Sequence, residues 1–348
     1  MPVAPLPLLA RVLRGGETES AHRGSVAVVD EDGRLLAECG EPGGPVFLRS
    51  AAKPIQAIPL LAAGGERAFG LGDDEIALLC ASHGGEPRHV RTAARMLARG
   101  GFLVSDLACG AHLPMHEPSA RALIARSEKP TPLHNNCSGK HAGLLLACRL
   151  LGFAPRRYED PGHPLEQTIL GLVSDYTGAP RASIGIAIDG CSLPVFSLPL
   201  TGLAAAYAQL GSERRAGESA SGRAVRRRLW RAMCASPGMV AGRARFTTDF
   251  LEAGRGAWIG KEGAEGVYAI GLRPAGPRSK AVGIAFKIED GSSRARDAVA
   301  LEILDQLGRL KGDPARRLVP HRRPVIRSVR GQEVGEVRAD LTLRRHAR

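Results

Sequence analysis

Aromatic residues are scarce in this chain: Phe, Trp and Tyr together make up 4% of its 348 residues. Stacking platforms for unpaired bases are few, which counts against single-stranded nucleic acid as a partner. Long apolar runs are missing too. The longest, such as Leu144 to Cys148, fall far short of the roughly 20 residues a membrane span requires, and a helical transmembrane protein is excluded. The opening Met1-Pro2-Val3-Ala4-Pro5-Leu6-Pro7 lacks a basic segment, and its prolines interrupt any signal-like apolar stretch, so a cytoplasmic location is expected. Seven cysteines, at 39, 80, 109, 137, 148, 191 and 234, are odd in number and widely spread, without the density of a disulfide scaffold. No P-loop is present: neither Gly139-Lys140 nor Gly260-Lys261 has the upstream Gly and downstream Ser/Thr that would cradle a nucleotide phosphate.

Lysine is equally sparse. Of 48 basic residues 41 are Arg, and Lys stands only at 53, 129, 140, 261, 280, 287 and 311. Arg stays charged under ordinary conditions, whereas a buried Lys can lose its proton and act as base or ligand. Each Lys inside a motif therefore invites a chemical reading. The net charge of +13 is concentrated late: residues 309 to 348 carry net +8, leaving +5 for the first 308. A single catalytic domain over 1–310 and a basic, solvated, partly disordered tail over 311–348 are expected. That tail holds no RNA-binding signature, and no nucleic-acid partner is expected.

Ser25 to Asp30, the Asp32-Gly33 turn and Arg34 to Ala37 predict an opening β-hairpin. A helix is predicted to start at Ser50 as N-cap, with Pro54 near enough the start to be tolerated. Apolar spacing of three and four predicts further helices near 73–81, 87–99, 119–127, 139–151, 163–177, 200–210, 223–235 and 293–309. Strands are predicted near 182–188, 256–260, 266–271 and 281–287, and 211–223 is the least ordered internal stretch. Helices in the middle and strands at both ends suggest an α/β chain of α+β arrangement, its sheet built from both chain ends and packed with helices.

Three stations carry chemistry. Ser50-Ala51-Ala52-Lys53 is an S-x-x-K spacing, which on a helix puts an amine within reach of a hydroxyl proton. Ser82-His83 sits where a buried-looking helix ends at a turn, and read alone is a capping Ser with a hydrogen-bonded His. Gly260-Lys261-Glu262-Gly263 lies between two strand-like runs. The order S-x-x-K, Ser, K-x-G is that of serine β-lactamases and penicillin-binding proteins, although S-D-N is absent and K-T-G reads Lys261-Glu262-Gly263. A separate constellation, His134-Asn135-Asn136-Cys137-Ser138-Gly139-Lys140-His141 with Asp189-Gly190-Cys191, offers two thiols, a His and an Asp for tetrahedral zinc, or two buried structural thiols. Spacing alone favours His141 as the third ligand.

Taken together these residues resemble the asparaginase II family, the rhizobial-type L-asparaginases. The matching phrases are Glu19-Ser20-Ala21-His22-Arg23-Gly24, Arg49 to Ala57, Ala81-Ser82-His83, Gly85-Glu86-Pro87, His112-Leu113-Pro114-Met115-His116, Asn135 to Gly143, Asp189-Gly190-Cys191 and Lys261 to Tyr268, in order from about 19 to 310. The resemblance implies a serine β-lactamase-like fold, a homodimer, and hydrolysis of L-asparagine to L-aspartate and ammonia. It implies Ser50 as nucleophile with Lys53 as base, Ser82 with Lys261 as a second pair, and zinc on Cys137, Lys140 and Cys191 with Asp189 nearby through water. Gly84 and Ser192 stand where the family usually has Ser and Gly, and residues 243–249 match its pattern only loosely. Another S-x-x-K amidohydrolase, acting on glutamine or a β-lactam, and a non-catalytic zinc-stabilised binding protein are the alternatives.

Overall fold

Val26, Ala27, Val28 and Val29 follow one another and are all essentially inaccessible to solvent. Successive strand residues point to opposite faces, so a strand buried at every position is covered on both. That strand, Glu17–Asp30, is central to a large antiparallel sheet in the computed structural model, which describes residues 5–346. The order across the sheet is Val325–Arg327, Glu333–Ala339, Leu8–Arg14, Glu17–Asp30, Val282–Ile288, Val267–Leu272 and Trp258–Glu262. Leu35–Cys39 also pairs with Glu17–Asp30, and with Arg344–Arg345 on its other side.

The fold is mixed α/β with its sheet drawn from both chain ends, as the pattern of elements suggests. Residues 1–51, 198–212 and 253–348 form one compact unit around this sheet; residues 52–197 and 213–252 form a second, mostly helical unit. In the first unit the helix Leu200–Gly211 lies against Val282–Ile288, where a Cβ on Gly283 would come within 1.7 Å of the Ala204 carbonyl oxygen. Only glycine permits that approach, and the small faces of Ala204 and Ala208 complete it. Arg296–Gln306 packs on Leu8–Arg14, Val267–Leu272 and Glu333–Ala339.

The opening hairpin forms, with Val26 opposite Cys39 and Asp30 Oδ1 accepting the Asp32 and Arg34 amides across the turn. Residues expected as a basic tail carry the helices Gly312–Arg317 and Val319–Arg322 and three strands. Within 211–223, Glu218 takes two hydrogen bonds from the buried Arg226 guanidinium, at 2.9 and 2.6 Å, which ties the stretch to the helix Ala220–Ala235. Among the described residues no helix is long and apolar enough to cross a membrane.

Candidate active site

The second unit brings five of the singled-out residues together: Lys53, Ser82, Cys137, Lys140 and Cys191. Gly139 and Gly143, one turn apart on the helix Ser138–Leu151, have no room for a side chain: a Cβ would lie 2.4 Å from Leu78 Cγ and 2.3 Å from Leu79 Cδ2 respectively. These glycines let the helix Asp73–Leu79 press directly onto Ser138–Leu151. The chain leaving Asp73–Leu79 therefore delivers Ser82 beside the start of the other helix, where Cys137 stands. Cys137 is held there by its own amide, which donates to Asn135 Oδ1 at 2.9 Å, while Asn135 Nδ2 donates to the Cys109 carbonyl at 2.7 Å.

Ser82 is pinned from both sides. Its amide donates to the Val240 carbonyl at 3.0 Å and the His83 amide to the Asn136 carbonyl at 3.2 Å. His83 Nδ1 accepts the Gly85 amide, which places the ring proton on Nε2, directed at Ser138 Oγ 3.0 Å away. Burial, followed by the His89 and Lys53 charges, drives the His83 pKa well below the ordinary histidine value, so the ring is neutral and acts as a fixed strut. It stacks on His89 with centroids 4.8 Å apart.

Lys53 starts the short helix Lys53–Gln56 and is completely buried. Its ammonium donates to the Ala81 carbonyl, to Ser82 Oγ at 3.1 Å, and lies 3.2 Å from Cys137 Sγ. Lys140 Nζ lies 3.3 Å from Cys191 Sγ. A hydrogen bond from Cys191 is the largest influence lowering the Cys137 thiol pKa; burial opposes it, and the Lys53 and Lys140 charges reinforce it. The same bond raises the Cys191 pKa, so the pair is one thiolate held by one thiol. Burial alone would make Lys140 a weaker base, yet the two sulfurs and Asp189 outweigh it and push its pKa up. A buried thiolate and a buried ammonium thus stabilise each other.

His141, the ligand that spacing favours, is engaged elsewhere. Tyr158 accepts the Ala108 amide, which leaves its own hydroxyl proton for His141 Nδ1 at 2.6 Å. Burial, then the Lys140 and Lys53 charges, keep this ring neutral as well. Among the described residues no cluster of three or more His, Cys, Asp and Glu side chains is placed to hold a metal ion. The set that does converge is Cys137, Cys191 and Lys140: two sulfurs and a nitrogen, a donor set that suits zinc once the amine is neutral.

Cys191 is presented by a tight turn in which Asp189 N donates to the Leu193 carbonyl at 2.8 Å and Ser192 N to the Asp189 carbonyl at 2.9 Å. Ser192 takes φ +70°, a left-handed conformation that costs a non-glycine residue roughly 1 kcal/mol. Ser192→Gly should therefore stabilise the protein by about 0.5–1 kcal/mol, seen as a higher urea midpoint at unchanged m-value.

Ser50 and Lys261 belong to the first unit. The sequence places Ser50 at a helix start, but it lies inside the 3-10 turn Arg49–Ala52, and the helix Lys53–Gln56 has Ala52 at its N-cap with no side-chain cap. The reason is local: Arg49 adopts φ +48°, the Ala51 amide turns back to the Leu48 carbonyl, and Pro54 suits only a first turn. Tyr207 OH donates to the Ala51 carbonyl at 2.8 Å and fixes the turn on the helix Leu200–Gly211. Lys261, on the wholly buried strand Trp258–Glu262, donates to the Glu262 carbonyl at 2.8 Å and lies 3.4 Å from Glu262 Oε1. Gly263, which ends the K-x-G motif, abuts the Leu48–Arg49 backbone, where a Cβ would sit 3.0 Å from the Leu48 oxygen. Glycine there lets the strand carrying Lys261 run alongside the segment that leads into Ser50.

The model of the L-asparaginase II family matches residues 10–339, nearly the whole chain. The chain belongs to the L-asparaginase II family. The family is one of amide hydrolases acting on small molecules. None of the curated proteins matches the chain. Among solved structures, the Bacillus subtilis glutaminase YbgJ in covalent complex with 5-oxo-L-norleucine is 14% identical, with 78% of this chain and 81% of that chain covered and a TM-score of 0.33. A Bacillus glutaminase crystallised in 4.3 M NaCl is 13% identical, with 82% and 91% covered and a TM-score of 0.37. Mglu in its native form, in 4.3 M NaCl, is 16% identical at a TM-score of 0.36, and this chain spans 63% of its length.

Of the two departures from the family's usual residues, the left-handed turn at Ser192 accounts for a glycine there, and nothing in the structure explains the serine. Gly84 is closely packed: a Cβ there would stand 3.2 Å from His116 Cβ, a tight approach, and 3.6 Å from Glu86 Oε1, an ordinary contact, so the usual serine would press on His116.

Proposed function

We propose that this protein hydrolyses L-asparagine to L-aspartate and ammonia through a covalent acyl-enzyme on Ser50. The observation that carries the reading is Lys53, a fully buried amine three residues after Ser50, with Nζ 3.1 Å from Ser82 Oγ. With Lys53 in its neutral amine form, Ser50 Oγ attacks the side-chain amide carbon and its proton passes to Lys53 Nζ as the O–C bond forms. The C–N bond then breaks, and ammonia leaves with a proton supplied by Lys53 or by Ser82 with Lys261. Water cleaves the ester, returning the proton to Ser50 and releasing aspartate. Stabilisation of the tetrahedral oxyanion by backbone amides is worth roughly 3–4 kcal/mol per donor in known cases.

Cys137, Cys191 and Lys140 would hold zinc. When bound, the ion supplies positive charge that orients the polar end of the substrate. Cys191 and Lys140 must each give up a proton to become ligands, so affinity weakens as pH falls. All seven cysteines are free thiols, which supports a reducing, cytoplasmic setting. A homodimer completes the proposal, on the family resemblance.

Ammonia release from L-asparagine and L-glutamine, measured side by side with and without zinc, tests this. Asparagine-selective turnover that disappears in Ser50→Ala is the expected result. Near-full activity in that variant would remove Ser50 as nucleophile, and glutamine turnover equal to asparagine would remove the substrate assignment.

A further inference from the structure

Away from the cysteines, the second unit holds a groove of about 450 Å³ between the N-terminal turns of the helix Pro87–Gly100 and the helix Glu117–Ala125. The size is that of a small-molecule site. Its floor is apolar, from Pro87, Val90, Pro114, Ala122 and Leu123, and its rim carries Arg91, Arg126, Glu128 and His134. Arg126 and Glu128 cancel each other, with Nε to Oε1 at 2.7 Å and a second bond at 3.1 Å. Arg91 has no carboxylate partner among the described residues, so the rim is left with one uncompensated positive charge. His134 Nδ1 accepts the Thr131 amide at 3.0 Å, which leaves Nε2–H as a donor.

Two further features single the groove out. The outer helix is lightly held: Leu123 is the one buried side chain of its nine residues, and Ile124 is 61% exposed. The inner wall meets the Ser82 segment, since the His116 amide donates to the Gly84 carbonyl at 2.8 Å and Gly85, at φ +71°, has its missing Cβ position 3.0 Å from Pro114 Cα and 2.9 Å from the His134 carbonyl.

We propose that this groove binds a small organic monocarboxylate with a flat apolar body, the carboxylate paired with Arg91 and His134 and the body laid over Val90, Pro114 and Leu123. Occupancy clamps the helix Glu117–Ala125 onto the molecule and, through the His116–Gly84 hydrogen bond, stiffens the chain two residues from Ser82. The site does not depend on the hydrolase reading, because binding is read without turnover.

Isothermal titration of the full-length protein with 3-phenylpropanoate tests the proposal, with 3-phenylpropan-1-amine and propanoate as controls lacking the right charge and the apolar body. Saturable binding of the aromatic acid alone is expected, unchanged in Ser50→Ala, weakened at least tenfold in Arg91→Gln and lost in Ala122→Trp, which fills the groove. Hydrogen exchange in residues 116–126 should slow in the complex. Absence of saturable binding, binding lost in Ser50→Ala, or binding that survives Arg91→Gln unchanged would overturn it. Arg91 is exposed, so its replacement leaves folding intact.

Discussion

Lys53→Met should lower amide turnover by about a thousandfold or more, the scale on which general acid–base groups contribute. Methionine has nearly the same length and fills the same space, so no cavity opens in the helix Lys53–Gln56. What disappears is the ammonium, and three neighbours feel the loss at once: the Ala81 carbonyl, Ser82 Oγ and Cys137 Sγ. Leaving a buried acceptor unsatisfied costs about 1–3 kcal/mol, so the variant should melt lower while folding to the same structure. The Cys137 thiol should become a weaker acid, because one of the two ammonium charges that favour its thiolate is gone. Lys53→Arg separates charge from proton transfer. Arginine keeps the positive charge but does not give up its proton in proteins, so this variant should also be inactive. Ammonia release by folded protein, checked by circular dichroism, decides the matter; more than a tenth of wild-type activity in Lys53→Met would remove Lys53 from the chemistry.

The second large effect is on stability. Glu166, on the helix Pro164–Thr177, is 1% exposed, and neither of its carboxyl oxygens has a hydrogen-bond partner among the described residues. Burial pushes its pKa up to about 8 against the partial opposition of the Lys140 charge. In the folded protein the carboxyl therefore keeps a proton that the unfolded chain releases above its ordinary value of 4.5. Between those two pH values unfolding sheds a proton, so stability falls as pH rises from about 4.5 to 8 and levels off above. The full span is of order 5 kcal/mol. Glu166→Gln removes the titrating group while keeping its shape. The variant should match the wild type near pH 4.5, gain progressively, and exceed it by several kcal/mol at pH 8.5. Urea unfolding at a series of pH values reads this directly. A difference that stays flat across the range would mean that Glu166 titrates alike in folded and unfolded chain.

The chemical residues were legible because lysine is so rare in this chain. Lys53, Lys140 and Lys261 are the lysines that fall inside motifs, and all three are buried, which an arginine-rich surface would never require. The pairing was less legible. S-x-x-K spacing joins Lys53 to Ser50, yet the contact formed within the second unit is to Ser82, twenty-nine residues on, because Gly139 and Gly143 admit a helix–helix approach that no local pattern announces. His141 looked like a ligand by proximity in sequence, but its Nδ1 takes the Tyr158 hydroxyl, and its Nε2 is buried without a hydrogen-bond partner among the described residues. Glu166 gave no signal at all: in sequence it is one more glutamate at a helix start, where the dipole favours an acid. In the fold, the apolar strands near 256–288 could be read from composition. Leu8–Arg14 and Glu333–Ala339 could not, since neither alternates cleanly and each is held as a strand by neighbours on both sides.

That last pairing has a consequence for how the molecule is made. Ala10 lies opposite Ala339, so a ribosome adding roughly 5–20 residues per second has about 15 to 65 s of work left after Ala10 is joined before its partner exists. During that interval the whole of 52–197 and 213–252 has been synthesised, and the helices of that unit are able to pack on one another. The valine-rich strand Glu17–Asp30 meanwhile waits without Val282–Ile288, its edge unpaired and its apolar faces uncovered. Nascent chains of this protein should accordingly be held by chaperones through their amino-terminal third, and truncations that stop short of the last strands should aggregate.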